Sequence, residues 1–270
     1  MSEEVKTPSL NRIIAEINKK NGDQVIGRIK DFTTLDIERI PTGVKQLDDA
    51  LGGGFPKRRI IELYGLPSGG KSLISLLLVK KAQEQGLECI YMDVEDSFDP
   101  KWAKKLGIDT DKLVIAQSTV GEDTLEMVCK LLEAQPGVII IDSVAAMVPR
   151  VEQEEDLEKP TMALKARLMS RGLAKINSLN KNTLIVFINQ LRSILAMYGP
   201  PTTTPGGRAL GHFASIRIEV KKGEMLRVDD KKTTPIIGQM VNFNITKNKT
   251  AAPFKLGNFK FFYEDCRIEE

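Results

Sequence analysis

The chain has 270 residues, 41% hydrophobic and 28% charged, a composition for one large globular domain or one domain with small appendages. Its apolar runs are only strand-sized and its first residues are acidic and polar, so neither a membrane span nor a signal peptide is expected and the location reads as cytoplasmic. Net charge is +3 but split: residues 1–160 hold 21 Lys and Arg against 28 Asp and Glu, while residues 161–270 hold 18 against 8, which suggests either a polyanion partner or a solvated basic surface.

Leu10, Ile13, Ile14 and Ile17 form one apolar stripe at helical spacing, ended by Asn21-Gly22, and Val25 to Ile29 reads as a strand. So short a helix must dock its stripe, on its own core or on a neighbouring subunit. Turn chemistry at Ile40-Pro41-Thr42-Gly43 precedes a helix from Val44 to Leu51 and the run Gly52-Gly53-Gly54. A buried-strand pattern over Arg59–Tyr64 then enters Gly65-Leu66-Pro67-Ser68-Gly69-Gly70-Lys71-Ser72, a complete G-x-x-x-x-G-K-[ST] motif, and an apolar helix follows from Leu73 to Lys81. Strand, glycine loop and helix together specify a phosphate-binding loop. Backbone N–H groups and the helix dipole would face the phosphates of a nucleotide, Lys71 would reach its β- and γ-phosphates, and the Ser72 hydroxyl would ligate Mg²⁺.

The next strand, Leu87–Asp93, ends beside Glu95, a candidate for polarising attacking water or simply a loop carboxylate. Trp102, the single tryptophan, lies in a helix over Lys101–Leu106 and reads as a base-stacking or core residue. A strand at Val114–Ala116 and a helix at Glu122–Glu133 lead to Val138-Ile139-Ile140-Ile141-Asp142, four aliphatics ending in an acid that would hold Mg²⁺. Cys89, Cys129 and Cys266 are isolated, and read as small buried thiols rather than a zinc site or disulfides.

Residues 149–160 form an acidic, solvated loop, and the helix from Thr161 to Asn177 has a basic face of Lys165, Arg167, Arg171 and Lys175. The strand Thr183–Ile188 ends at Asn189-Gln190, where an amide would either hydrogen-bond the γ-phosphate or the attacking water, or just cap the turn. Leu191 to Gly207 can scarcely form a regular element. Arg192 and Arg208 frame it, while Gly206 and Gly207 offer backbone N–H groups suited to a phosphodiester backbone, with only Tyr198 available for stacking. His212 lacks metal or triad partners and reads as structural. Phe213–Val220 and Gln239–Thr246 read as paired strands across a charged linker, Lys221–Lys232, followed by a last strand at Phe259–Tyr263.

Several of these motifs, in this order and spacing, resemble the RecA family of bacterial and phage recombinases. They are Ile40–Gly43 with Leu47-Asp48 and Ala50–Gly52; Tyr64 entering the phosphate loop; Asp93-Val94-Glu95 with Asp99-Pro100; Ile141–Ala146; Phe187–Arg192; Thr202–Gly207; and Lys247-Asn248-Lys249 with Ala251–Lys255. The resemblance covers about residues 10–265. It implies an α/β fold: a RecA-like P-loop NTPase core, a mostly parallel central sheet flanked by helices, carrying a short N-terminal helix–strand appendage. Residues 1–35 would be the polymerisation segment. Residues 36–270 would be the ATPase core, with DNA-facing loops at about 149–162 and 191–208.

The activity implied is DNA-dependent hydrolysis of ATP with Mg²⁺, in a homo-oligomeric filament that forms on single-stranded DNA and exchanges strands with homologous duplex. Glu95 would activate the attacking water, Gln190 would sense the γ-phosphate and couple it to the loop beyond, and Lys71 would share in catalysis, with Lys247 and Lys249 reaching a neighbour's ATP. Gly65–Ser72 would hold the nucleotide, Asp99 and Trp102 would flank its base, and Ser72 and Asp142 would serve the metal. Met162, Arg167, Arg192, Gly206, Gly207 and Arg208 would meet DNA. Three departures stand out. Leu66–Gly69 replaces the usual acidic, serine-rich loop centre; Tyr198–Pro201 stiffens the second loop; and the family continues into a small C-terminal domain past the point where this sequence stops. The alternatives are a RecA-like regulatory paralogue, an ATP-gated oligomer that binds a protein partner, and a P-loop kinase, a reading that predicts an acceptor pocket and an arginine-rich lid and that the Thr/Gly loop and the paired Lys247 and Lys249 fit poorly.

Overall fold

The computed structural model describes residues 8–22, 25–32, 37–154, 162–193, 202–229 and 234–270, in two compact units, Met1–Glu38 and Arg39–Glu270. In the first unit the predicted helix forms as α1, Leu10–Asn21, closed by Gly22 in the left-handed conformation (φ 68°) with Lys19 and Lys20 in its last turn. None of its residues is buried. The strand expected at Val25–Ile29 is absent. The Asn18 amide holds that segment instead: Oδ1 accepts from the backbone N–H of Val25 (2.9 Å) and Ile26 (3.0 Å), and Nδ2 donates to the Ile26 carbonyl (2.8 Å). A single 3₁₀ turn, Ile29–Asp31, follows.

In the second unit, runs of branched aliphatics form the middle of a nine-stranded sheet. Its strands are β3 (Ile60–Gly65), β4 (Cys89–Asp93), β5 (Val114–Gln117), β6 (Val138–Asp142), β7 (Leu184–Gln190), β10 (Ile216–Arg227), β11 (Ile236–Asn248), β12 (Leu256–Phe262) and β13 (Ile268–Glu269). Their order is β13-β12-β11-β10-β3-β7-β6-β4-β5; the six strands from β10 to β5 are parallel and the other three add antiparallel. Strands buried on both faces need not alternate, so Ile139, Ile140 and Ile141 all sit at 0% exposure. Helices α2 (Lys45–Leu51), α3 (Lys71–Glu84) and α4 (Pro100–Lys105) cover one face; α5 (Gly121–Leu131), α7 (Met162–Leu179) and α8 (Ala209–Phe213) cover the other. This is the α/β architecture the sequence implies, a large, mostly parallel sheet flanked by helices.

The differences from expectation have local causes. Lys221–Lys232 is not a linker: β10 continues to Arg227 and β11 begins at Ile236, as a ribbon that leaves the packed part of the sheet and so carries charge on both faces; residues 230–233 lie outside the described set. Phe213 closes α8 rather than opening a strand. Inside the acidic loop, Arg150–Glu154 is helical (α6), and residues 155–161 lie outside the described set. Arg192–Ser193 (β8) pairs antiparallel with Thr202–Thr203 (β9), so the Gly/Pro-rich segment does contain regular structure at its base; residues 194–201, Tyr198 among them, lie outside the described set. A two-residue pair, β1 (Arg39–Ile40) with β2 (Phe55–Pro56), was not legible.

Asp48 holds the turn before α2. Its carboxylate accepts from Thr42 N (2.8 Å), Thr42 Oγ1 (2.9 Å) and Gly43 N (3.1 Å), where Thr42 is almost fully buried. Asp48→Ala leaves these donors unmatched and is expected to cost about 1–3 kcal/mol, measured as a lower urea midpoint. An unchanged midpoint would show that water replaces the carboxylate there.

Candidate nucleotide and polyanion site

The phosphate loop turns between β3 and α3 against the neighbouring strand. An added Cβ at Gly65 would lie 2.0 Å from the Val220 carbonyl oxygen, and one at Gly69 2.9 Å from the same atom, so the loop needs glycine at both positions to approach β10. Gly70 (φ 103°) caps the N-terminus of α3. A shallow cavity of about 240 Å³ opens here, lined by Ser68 to Leu73 and by Gln239 of β11, a residue that no motif marks. Lys71 is buried, with Nζ donating to the carbonyls of Leu66 (2.8 Å) and Gly65 (3.3 Å). Burial lowers its pKa, opposed by the charges of Asp142 and Glu95. A cation held on carbonyls, with no formal counter-charge bonded to it, suits an incoming phosphate.

Parallel register sets the second half of the site. Asp93 of β4 stands opposite Asp142 of β6, and β3 lies next to β7 with Gly65 opposite Gln190. Ser72 Oγ donates to Asp142 Oδ2 at 2.8 Å, and the buried Tyr91 hydroxyl donates to the same oxygen at 2.7 Å. Burial pushes the Asp142 pKa up, and the two hydroxyls pull it down. A hydroxyl and a carboxylate already in contact at the N-terminus of α3 fit the hard, oxygen-preferring Mg²⁺. Glu95 lies exposed just beyond β4, and its Oε1 accepts from Gln190 Nε2 (2.8 Å) and from Ser143 Oγ. The structure therefore brings Lys71, Ser72, Asp142, Glu95 and Gln190 into one connected group, and adds Tyr91 and Ser143.

Other expected residues lie apart. Asp99 caps α4, accepting from Lys101 N at 2.8 Å. Trp102 is half-buried, edge-on to Phe261 with ring centroids 5.9 Å apart, so part of its surface packs as core and the rest is accessible. Lys247 Nζ donates to the carbonyls of Gly211 (2.7 Å) and His212 (3.1 Å) at the end of α8, within its own chain. Burial lowers its pKa, as do the neighbouring charges of Lys249 and Arg217. The Lys249 side chain is exposed.

Arg167, Arg192 and Arg208 are exposed. Lys165 donates to the Ala145 carbonyl at 3.0 Å; burial lowers its pKa first, and the charge of Arg192 lowers it further. Gly206 is buried, a Cβ there lying 3.1–3.2 Å from Met169 and Val144, so its surroundings are more closed than expected; Gly207 is exposed, beside Ala166. Met162 opens α7, and its side chain lies outside the described set. Cys89 and Cys129 are buried as expected, the Cys89 thiol pushed up to about 12 by desolvation, but Cys266 is only half-buried.

No helix among the described residues is long and apolar enough to cross a membrane. Compared with known proteins, residues 8–267 match a family model described as the RecA N-terminal domain. The chain is 42% identical over 264 residues to Protein RecA of Francisella philomiragia subsp. philomiragia, an alignment covering 96% of this chain and 72% of that protein. Protein RecA of Francisella tularensis subsp. novicida aligns with the same identity and coverage.

Proposed function

The chain belongs to the RecA family, and from that premise we propose that it is a recombinase whose ATP hydrolysis is switched on by single-stranded DNA, on which it forms a filament. The family carries a recombination and repair role, with ATPase chemistry implied. Strand exchange with homologous duplex, the filament and the individual residue roles are our reading. The observation that carries it is the Glu95–Gln190 hydrogen bond (2.8 Å): a side chain placed to act as a base is tied to the residue that opens the 191–208 segment.

ATP with Mg²⁺, when bound, supplies the phosphoanhydride and the cation that balances its charge. The chain's own groups do the rest. The N–H groups of the glycine loop and Lys71 bind and orient phosphate, while Ser72 and Asp142 offer the metal two oxygens already in contact. Glu95 accepts the proton of the attacking water, positioned by Ser143 and Gln190 on its Oε1. Lys247, and Lys249 beside it, leave their own protomer to complete a neighbour's site, in the manner of an arginine finger. Exposed Arg167, Arg192 and Arg208, with the Gly207 backbone, supply sequence-independent phosphodiester contacts. Asp99 and Trp102 flank the base from α4.

ATP hydrolysis with and without single-stranded DNA, at low and high salt, tests this, with Lys71→Ala as the blank. Strong stimulation that weakens with salt is expected, because each neutralised phosphate releases counterions. A wild-type rate indifferent to DNA would overturn the recombinase reading and turn attention to a regulatory paralogue.

A further inference from the structure

Glu62 of β3 is a carboxylate at 0% exposure in the middle of the sheet, away from the phosphate loop's own contacts. Both of its oxygens are occupied by partners on different strands. Oε1 accepts from Asn189 Nδ2 of β7 at 3.1 Å, and Oε2 accepts from Arg217 Nε of β10 at 2.5 Å. Asn189 is also at 0% exposure, and it works in two directions. Its Nδ2 donates as well to the Pro205 carbonyl (3.1 Å), in the chain returning from the 191–208 segment, and its Oδ1 accepts from the Gln190 backbone N–H (3.0 Å). Gln190 in turn reaches Glu95. Arg217 lies 4.6 Å over the Tyr64 ring, whose hydroxyl donates to Thr246 Oγ1 (3.0 Å), next to Lys247. Glu62 thus ties the strand entering the phosphate loop to β10 and, through Asn189, to the strand ending at Gln190 and the anchor of the second segment, while its strand neighbour Tyr64 reaches the strand carrying Lys247.

We infer that Glu62 is a positioning residue that couples the nucleotide site to the 202–208 anchor by holding the Asn189 amide between Gln190 and Pro205. A buried carboxylate that merely filled space would need only its ion pair with Arg217. Here the second oxygen fixes the orientation of an amide shared by both sites. When Gln190 shifts on its Glu95 side, Asn189 must follow, and Pro205 with it, because Glu62 gives the amide one orientation. The inference rests on the proposed reading that Gln190 positions Glu95 at the nucleotide site.

The test is amide hydrogen exchange across residues 202–208 in the full chain, with and without Mg²⁺ and a slowly hydrolysed ATP analogue. In wild type, nucleotide should change exchange there by about fivefold or more, the lower end of ordinary coupling between sites. Glu62→Gln should abolish that response while the analogue's Kd is retained. Asn189→Ala, which keeps the Glu62–Arg217 pair, should do the same and guards against a folding failure of the first variant. A purely structural loss would speed exchange equally with and without nucleotide and leave the response in place. That result, or no response in wild type, would overturn the inference. Failure of the recombinase reading is seen separately, as a wild-type hydrolysis rate blind to single-stranded DNA.

Discussion

Glu95→Gln is expected to lower DNA-stimulated ATP turnover by about 10²–10⁴-fold, the usual worth of a positioned general base, with nucleotide affinity little changed. The amide keeps the size of the carboxylate but cannot take a proton from water. Two donors, Gln190 Nε2 and Ser143 Oγ, converge on the carboxylate's Oε1, so the wild-type orientation is fixed before substrate arrives. The replacement amide can still present its oxygen to both, which preserves the local structure and isolates the chemistry. Single-turnover hydrolysis with fluorescent-nucleotide binding separates the two effects. A variant hydrolysing at more than a tenth of the wild-type rate would show that another group accepts the proton.

Lys247→Ala is expected to lower turnover about 10³-fold or more, comparable to removal of an arginine finger. Its Nζ is held by the Gly211 and His212 carbonyls, so the alternative is that Lys247 only closes α8. Mixing separates these roles. When Lys247→Ala and Glu95→Gln chains are combined in equal amounts, about one heterologous interface in four pairs an intact Glu95 with an intact Lys247. Turnover well above that of either variant alone is expected. A mixture no more active than its parts would place the lysine's role within its own protomer.

What was legible in the sequence was what is local in the chain. Gly65 to Ser72 are contiguous, and the apolar run before Asp142 marks a buried parallel strand without any knowledge of its neighbours. Glu95 stood out only as an acid past a strand end; its partners Ser143 and Gln190 lie 48 and 95 positions away and meet it only through sheet register. Tyr91 and Gln239 were read only as strand residues for the same reason, since nothing local in the chain marks their contact with the site. Misreadings came where burial was partial. The outer ends of β10 and β11 form a ribbon with charge on both faces, so Lys221–Lys232 lacks the alternation that marks a half-buried strand. At Val25–Ile29 a single side-chain amide, Asn18, displaced a propensity that favoured extended pairing.

Strand β11 carries one further consequence. Gln239, near its start, lines the protomer's own phosphate cavity, and Lys247, near its end, is the group assigned to the neighbour's site. Eight residues of extended chain separate them, about 27 Å at the usual rise of an antiparallel strand. On the proposed reading this strand acts as a ruler, and its length sets the distance between successive nucleotides along the assembly. Filament pitch then becomes a property written into the residue count of a single strand, and two residues added to β11 and to its partners would keep the faces aligned while lengthening the repeat.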